Sequence, residues 1–173
     1  PALAILSLAI AAPVAAANPP GNNGTVKVDS QEFDTLPDNQ AFVASNEKDS
    51  GTLETQEVCR LFKEMGKTEA KVYVIMGELS NQAAVMRTKD IDDVIARPEC
   101  SFIKIIDKQT SNWRRDEAQN LMTNWLSTGT AFDGVIANND ESAIGAIQAM
   151  KAANVDMKSG APAFGTPEYM RAT

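Results

Sequence analysis

Short apolar runs alternate along this chain with stretches in which apolar residues recur at helical spacing. Residues 132–137 (FDGVIA) form one such run, and residues 138–141 (NNDE) close it with a polar turn. Beyond the turn, apolar side chains recur at Ala143, Ile144, Ala146, Ile147 and Met150. This order predicts a buried strand, a tight turn and a helix.

The same alternation precedes this segment. The predicted strands cover residues 41–44, 71–76 and 101–106. The predicted helices cover residues 81–96 and 114–126, with an earlier one that opens within 46–50 and runs to Met65. Residues 108–113 are predicted to form a loop. Strand and helix alternate at intervals of roughly 30 residues, which predicts a parallel sheet with helices on both faces, an α/β fold.

Two of these helices show apolar faces that supply candidate core residues. On the first helix they are Leu53, Val58, Leu61 and Phe62. On the helix over residues 114–126 they are Ala118, Leu121, Met122 and Trp125. Gly66 is well placed to end the first helix.

The start of the chain has a different character. Residues 1–17 are small, apolar and uncharged, and two interpretations stay open. They match the apolar core and exit of a secretory signal, with Asn18 as the first mature residue, or a strand and helix of an incomplete domain. Residues 18–25 have the composition of a loop, and residues 26–28 form a short predicted strand.

Composition narrows the classes of function. The formal charge of -7 argues against nucleic acid as a partner. The chain has no histidine, the commonest general base and metal ligand, and no motif for a nucleophile or a phosphate loop. We therefore predict no enzyme activity, no metal and no cofactor. Cys59 and Cys100 have no CxxC companion, so a disulfide and two buried thiols both stay open.

Five polar or aromatic residues lie just beyond predicted strands. They are Asp29, Arg87, Trp113, Asn139 and Asp140. Because parallel strands end at one edge of a sheet, we expect these side chains to share that edge. An aromatic face stacks on the C–H face of a sugar ring, and planar polar groups bind adjacent hydroxyls. The set therefore predicts a site for a sugar-like ligand.

Plainer roles are also open for these residues. Asn and Asp are preferred helix N-caps, so Asn139 or Asp140 could only cap the following helix. Trp113 could be surface packing, and Arg87 could be a charge on a helix surface.

Several ordered motifs resemble one family. They are residues 77–84 (GELSNQAA) with Arg87, residues 109–113 (QTSNW), residues 137–141 (ANNDE) and residues 145–149 (GAIQA). Together they resemble the periplasmic sugar-binding proteins of ABC importers, in the ribose-like branch and especially its inositol- and rhizopine-binding members. The resemblance extends over about residues 26–155.

The resemblance implies two α/β lobes that close on a sugar or cyclitol and deliver it to a membrane permease. It implies a monomer in the periplasm, with an extracellular or lipid-tethered location as the alternative. Carried over by position, Asp29 contacts the ligand from the first lobe and Arg87 clamps its hydroxyls. Trp113 stacks on the ring, Asn139 hydrogen-bonds to the ligand, and Asp140 is adjacent with a less defined role.

The resemblance also implies a division of the chain. Residues 1–45 would be a remnant of the N-terminal lobe, or a signal-like segment plus a loop, and residues 46–173 the C-terminal lobe. The family's first strand and its aromatic contacts have no match here, and Phe164 stands where a ligand-binding Asp precedes a glycine. We therefore expect the first lobe to be largely missing.

Two other classes of protein are alternatives to this one. The sugar-sensing domain of a lactose-repressor-type transcription regulator shares the fold, but needs a basic helix-turn-helix at its start. Residues 1–40 contain Lys27 as their only basic residue. A sugar-active enzyme needs two carboxyl groups across a cleft, and no spacing here indicates such a pair.

Overall fold

A parallel β-sheet with helices on both faces forms the body of the structure. The computed structural model describes residues 4–6, 25–28, 40–43 and 47–157. The described strands are β1 (Ala4–Leu6), β2 (Thr25–Val28), β3 (Gln40–Val43), β4 (Ala70–Met76), β5 (Ile103–Thr110) and β6 (Gly134–Ala137). The described helices are α1 (Glu47–Glu64), α2 (Gln82–Ile95), α3 (Arg115–Ser127) and α4 (Asp140–Ala152). The predicted α/β fold is confirmed.

Four strands form the larger sheet, in the order β1-β6-β4-β5, and each neighbouring pair is parallel. Strands β2 and β3 form a separate parallel pair. Of the first 17 residues, the structure describes 4–6 as strand β1 beside β6. The other residues of that segment lie outside the described ranges.

The two faces of the larger sheet carry separate apolar cores. On one face, Tyr73 and Ile75 of β4 pack with residues of α3 and α4, including Trp125 and Met150. On the other face, alternate residues of the same strand pack with α1 and α2. They are Val72 and Val74. A strand segment that is buried on both faces carries apolar residues in succession, which is why residues 72–75 of β4 stand out in the sequence.

The ends of the helices follow local rules. Asn81 caps α2, because its side chain accepts a hydrogen bond of 2.8 Å from the N–H of Ala83. Gly66 ends α1 with φ at 70°, a left-handed conformation that favours glycine, as predicted. The N–H of Lys67 donates back to the carbonyl of Phe62 at 2.9 Å and closes the turn.

Two details of the sequence prediction are wrong. Helical spacing predicts Leu53 on the buried face of α1, but the residue is 44% exposed, whereas Val58, Leu61 and Phe62 are buried. The predicted loop over residues 108–113 instead begins as strand, because β5 continues to Thr110 in register with Met76. An edge strand is held by main-chain hydrogen bonds on one side and tolerates polar side chains, so its end has no apolar signature.

The path of the chain creates a crevice between β4 and β6. Strand β4 leads into α2 on one face of the sheet, while the adjacent β6 leads into α4 on the other face. The two following loops therefore separate at the carboxyl ends of these strands, where ligands bind in open α/β sheets. Among the described helices, none is both long and apolar enough to cross a membrane.

Candidate functional site

Three of the five predicted site residues meet at this crevice: Arg87, Trp113 and Asn139. Each reaches it from a different element. Arg87 lies on α2, Trp113 follows β5, and Asn139 follows β6. Asp140 is the exposed first residue of α4. Asp29 lies outside the described residues.

Arg87 is held at the sheet edge by two hydrogen bonds. Its Nε donates to a carboxylate oxygen of Glu47, and its Nη1 donates to the main-chain carbonyl of Asn138 at 2.6 Å. The side chain is only 17% exposed, so this arginine is not a free surface charge. Its guanidinium carbon lies 5.9 Å from the centroid of the Trp113 ring, within cation–π range.

Trp113 takes an unusual backbone conformation just after β5. Its φ is 64° and that of Asn112 is 51°, both in the left-handed region that non-glycine residues rarely occupy. Two such residues in succession at the mouth of a crevice fit the tendency of backbone strain to collect at functional sites. The indole lies against Gly77, where a Cβ atom would be 2.3 Å from its ring.

Asn139 caps a helix and contacts Trp113. Its Oδ1 accepts a hydrogen bond of 3.1 Å from the N–H of Ser142, which makes it the N-cap of α4. Its Nδ2 donates to the main-chain carbonyl of Trp113 at 3.4 Å. The capping alternative therefore holds, and the same side chain also lies at the crevice.

Asn138 was missed by the sequence analysis, although it joins β6 to α2. The residue is 2% exposed, and its Nδ2 donates to the carbonyl of Ala84 at 3.2 Å and to Oγ1 of Thr88 at 2.9 Å. Asn138 is part of the motif at residues 137–141, but the sequence predicts a binding role only for the adjacent Asn139 and Asp140. Its side-chain amide thus donates two hydrogen bonds to α2, and its main-chain carbonyl accepts a third from Arg87, which fixes the turn after β6 to α2.

Two acidic residues of α1 were also missed. Glu47 is 7% exposed and pairs with Arg87. Glu54 is 2% exposed, and burial raises the pKa of its carboxyl well above the ordinary value of 4.5. The N–H of Ala137 and the charge of Arg87 lower that pKa, and Asp140 raises it. In sequence, both acids resemble the solvated side of an amphipathic helix.

A buried pair of hydroxyl groups connects the end of β5 to α4. Oγ of Ser111 and Oγ of Ser142 lie 2.7 Å apart, and both residues are fully buried. The N–H of Ser111 also donates to the carbonyl of Met76 at 2.9 Å. The loops that carry Trp113 and Asn139 are therefore fixed to the same strand ends.

The crevice offers hydrogen-bond donors, an aromatic ring and fixed charge. In the described part of the chain, no group of three or more His, Cys, Asp or Glu residues could hold a metal ion. An arginine fork, an amide and an indole in one place are suited to binding a polar ring with several hydroxyl groups.

Several known proteins are similar to this chain in sequence and fold. The family model described as periplasmic binding protein domain matches residues 24–171. A protein of Rhizobium meliloti named for rhizopine binding is 64% identical over 127 residues, covering 73% of this chain and 40% of that protein. A xylitol-binding protein of Mycolicibacterium smegmatis is 40% identical over 99 residues, covering 56% and 27%. The chain thus spans less than half the length of either relative.

A solved structure shows the same fold around a ligand. It is an ABC transporter solute-binding protein from Bacillus halodurans C-125 with bound myo-inositol. It is 38% identical, with a TM-score of 0.60, and the match covers 66% of this chain and 38% of that one.

Proposed function

Because this chain belongs to the periplasmic binding protein domain family, we propose that it is part of a solute-binding protein that captures a sugar or cyclitol for an ABC importer. One observation carries the proposal: Arg87, Trp113 and Asn139 meet at the crevice between β4 and β6. Two relatives are named for binding rhizopine and xylitol, and a similar solved structure holds myo-inositol. These similarities favour a solute-binding protein for a polyol over the sugar-sensing domain of a transcription regulator.

Each residue has a distinct role in this proposal. The guanidinium of Arg87 donates to adjacent ligand hydroxyls, because planar groups suit vicinal oxygens. The indole of Trp113 covers the apolar face of the ring. Asn139 and Asp140 hydrogen-bond to hydroxyls at the end of β6, and Asp29 contacts the ligand from the other lobe. We assign residues 46–173 to the C-terminal lobe and residues 1–45 to the N-terminal lobe or to a signal-like segment and a loop, except for strand β1, which pairs with β6 in the larger sheet.

The proposed protein works in the periplasm as a monomer, beside its permease, and carries out no chemistry on its ligand. The disulfide between Cys59 and Cys100 supports this location. Disulfides persist in oxidising compartments such as the bacterial periplasm and are rare in the cytosol.

A thermal-shift panel tests the proposal on the whole protein. The panel contains myo-inositol, scyllo-inositol, xylitol, ribose, galactose and glucose. A ligand that binds only the native state raises the free energy of unfolding by mass action, by about 2.7 kcal/mol when its concentration is a hundred times Kd. The melting temperature rises accordingly. We expect one cyclitol or sugar to raise it. A protein that responds to none of them does not support the proposal.

Two substitutions then locate the binding site. We expect Arg87→Ala to weaken ligand binding by at least about tenfold, since charged hydrogen bonds contribute roughly 1.5–3 kcal/mol. Trp113→Ala should weaken it by roughly two- to tenfold, since aromatic contacts contribute about 0.5–1.5 kcal/mol. Isothermal titration calorimetry measures the change. Arg115→Ala is the control, because Arg115 is an exposed arginine that pairs with Glu141 on the surface. Unchanged affinity in both site variants would place the ligand elsewhere.

A further inference from the structure

Glu47 holds the guanidinium group on which the proposed site depends. It is the first residue of α1, and its carboxylate accepts from Nε of Arg87. The pair is largely buried, with the side chains 7% and 17% exposed. Ion pairs on the protein surface contribute little to stability. Removing one partner of a buried pair is strongly destabilising, because the other charge stays buried without compensation.

A close approach of two helices brings Glu47 within reach. Gly51 lies one turn further along α1, on the same face as Glu47. A Cβ atom at Gly51 would be 2.6 Å from the carbonyl oxygen of Arg87 and 2.8 Å from its Cα. The bare glycine thus lets α1 touch the backbone of α2 at Arg87 itself.

The hydrogen bonds around Arg87 divide its donors. Nε is used by Glu47 and Nη1 by the carbonyl of Asn138. Among the described residues, Nη2 has no hydrogen-bond partner. An arginine has five N–H donors in a rigid fork, so fixing two of its nitrogens fixes the direction of the third.

We propose that Glu47 is a positioning residue for ligand binding. It orients the guanidinium of Arg87 so that Nη2 faces the hydroxyl groups of the ligand, and Gly51 provides the helix contact that makes this possible. Glu47 itself does not touch the ligand. This inference rests on the proposed function and deepens it by naming the residue that pre-organises the site.

The test measures binding of myo-inositol to the whole protein by isothermal titration calorimetry. Glu47→Gln keeps the size of the side chain but removes its charge. We expect the affinity to fall on the order of tenfold, the usual scale for coupling between residues in contact. Glu57→Gln is the matched control, because Glu57 pairs with Arg60 on the same helix but away from the crevice. We expect the control to bind as the wild type does.

A double-mutant cycle separates positioning from a general loss of structure. In an Arg87→Lys background the fork is absent, so Glu47→Gln should cause little further loss of affinity. An equal loss in both backgrounds would show that Glu47 acts independently of Arg87 and would overturn the proposal. The same holds if Glu47→Gln binds as tightly as Glu57→Gln.

A second variant keeps the test usable if Glu47→Gln does not fold. Glu47→Asp then replaces it, because aspartate keeps the charge on a shorter side chain. We expect Glu47→Asp to lose affinity, and wild-type affinity in that variant would overturn the positioning role. A wild-type protein that binds neither myo-inositol nor any other polyol of the panel instead counts against the proposed function.

Discussion

At the scale of single residues, the contact between Gly77 and Trp113 defines the crevice. The indole lies where a side chain at residue 77 would be, with a Cβ position 2.3 Å from two ring atoms and 2.4 Å from a third. Glycine is therefore needed here for close approach of an aromatic ring. The motif at residues 77–84 contained this glycine, but the sequence alone did not indicate what it contacts.

Gly77→Ala should move the indole and weaken polyol binding by up to about tenfold, because a displacement of the ring removes the stacking surface. Calorimetry on the whole protein measures the change. Gly129→Ala is the control, since Gly129 has φ at 67° and a Cβ there would meet nothing within 4 Å. It should lower stability through strain while leaving affinity unchanged. Wild-type affinity in Gly77→Ala would mean that Trp113 does not stack on the ligand.

Glu54 makes stability depend on pH. Burial raises the pKa of its carboxyl in the folded protein above 4.5. At a pH between the pKa of the unfolded state and that of the folded state, the folded protein therefore keeps a proton that the unfolded protein has released. Stability from this group is complete below the unfolded pKa and decreases as pH rises toward the folded pKa.

Glu54→Gln removes this dependence. We expect the melting temperature of the variant, relative to wild type, to increase as pH rises from 5 to 8, because only the wild type loses the stability that the protonated carboxyl provides. Differential scanning calorimetry across pH measures the difference. Glu57→Gln, on the exposed side of α1, should show no such trend. If the difference in melting temperature between Glu54→Gln and wild type did not change with pH, the raised pKa of the Glu54 carboxyl would be contradicted.

At the scale of elements, the sequence indicated nearly every helix and strand from residue 47 to residue 152. The clearest were β4, whose residues 72–75 are all apolar because both faces of the strand are buried there, and α3, whose four predicted core residues are all buried. The end of β5 was missed because edge pairing needs no apolar side chains. Leu53 was misplaced because helical spacing alone fits more than one face.

The candidate site was predictable only in part. Residues in the segments that follow strands could be assigned to one edge, since parallel strands end together. Trp113 and Asn139 from two such loops, and Arg87 from helix α2, do meet there. Glu47, Glu54 and Asn138 could not be found in this way. Their importance depends on burial and on contacts between residues about 40 to 80 positions apart, which no local pattern encodes.

One covalent bond joins α1 to the segment before β5. The structure resolves the question left open by the sequence, since Cys59 and Cys100 form a disulfide with 41 residues of separation. The bond encloses β4 and α2 in one loop. In the chain-entropy description, closing a loop of this length stabilises the folded state by about 4 kcal/mol.

Replacing both cysteines, Cys59→Ala with Cys100→Ala, should lower the free energy of unfolding by about 2–4 kcal/mol. Urea denaturation measures the loss. Wild-type protein treated with a reductant should show a similar loss, whereas the reductant should leave the double variant unchanged. Equal stability of the variant and the oxidised wild type would show that the bond adds nothing to the fold.

At the scale of the whole molecule, the site depends on the order of strands in the sheet. Strands β4 and β6 are separated by 57 residues, from Met76 to Gly134, yet they are neighbours and send their helices to opposite faces. Arg87, Trp113 and Asn139 come together only because of this order. In the proposed function, Asp29 of the other lobe would contact the ligand from the opposite side.

The two tryptophans of the chain occupy contrasting places. Trp125 is 5% exposed, stacks on Tyr73 with ring centroids 4.3 Å apart, and donates its indole N–H to Asp107 at 2.9 Å. Trp113 is partly exposed at the crevice, close to the charge of Arg87. The molecule therefore carries its own optical probe and its own internal standard. Light emitted by Trp113 would change with occupancy of the crevice, while that of Trp125 would stay constant as long as the core is intact.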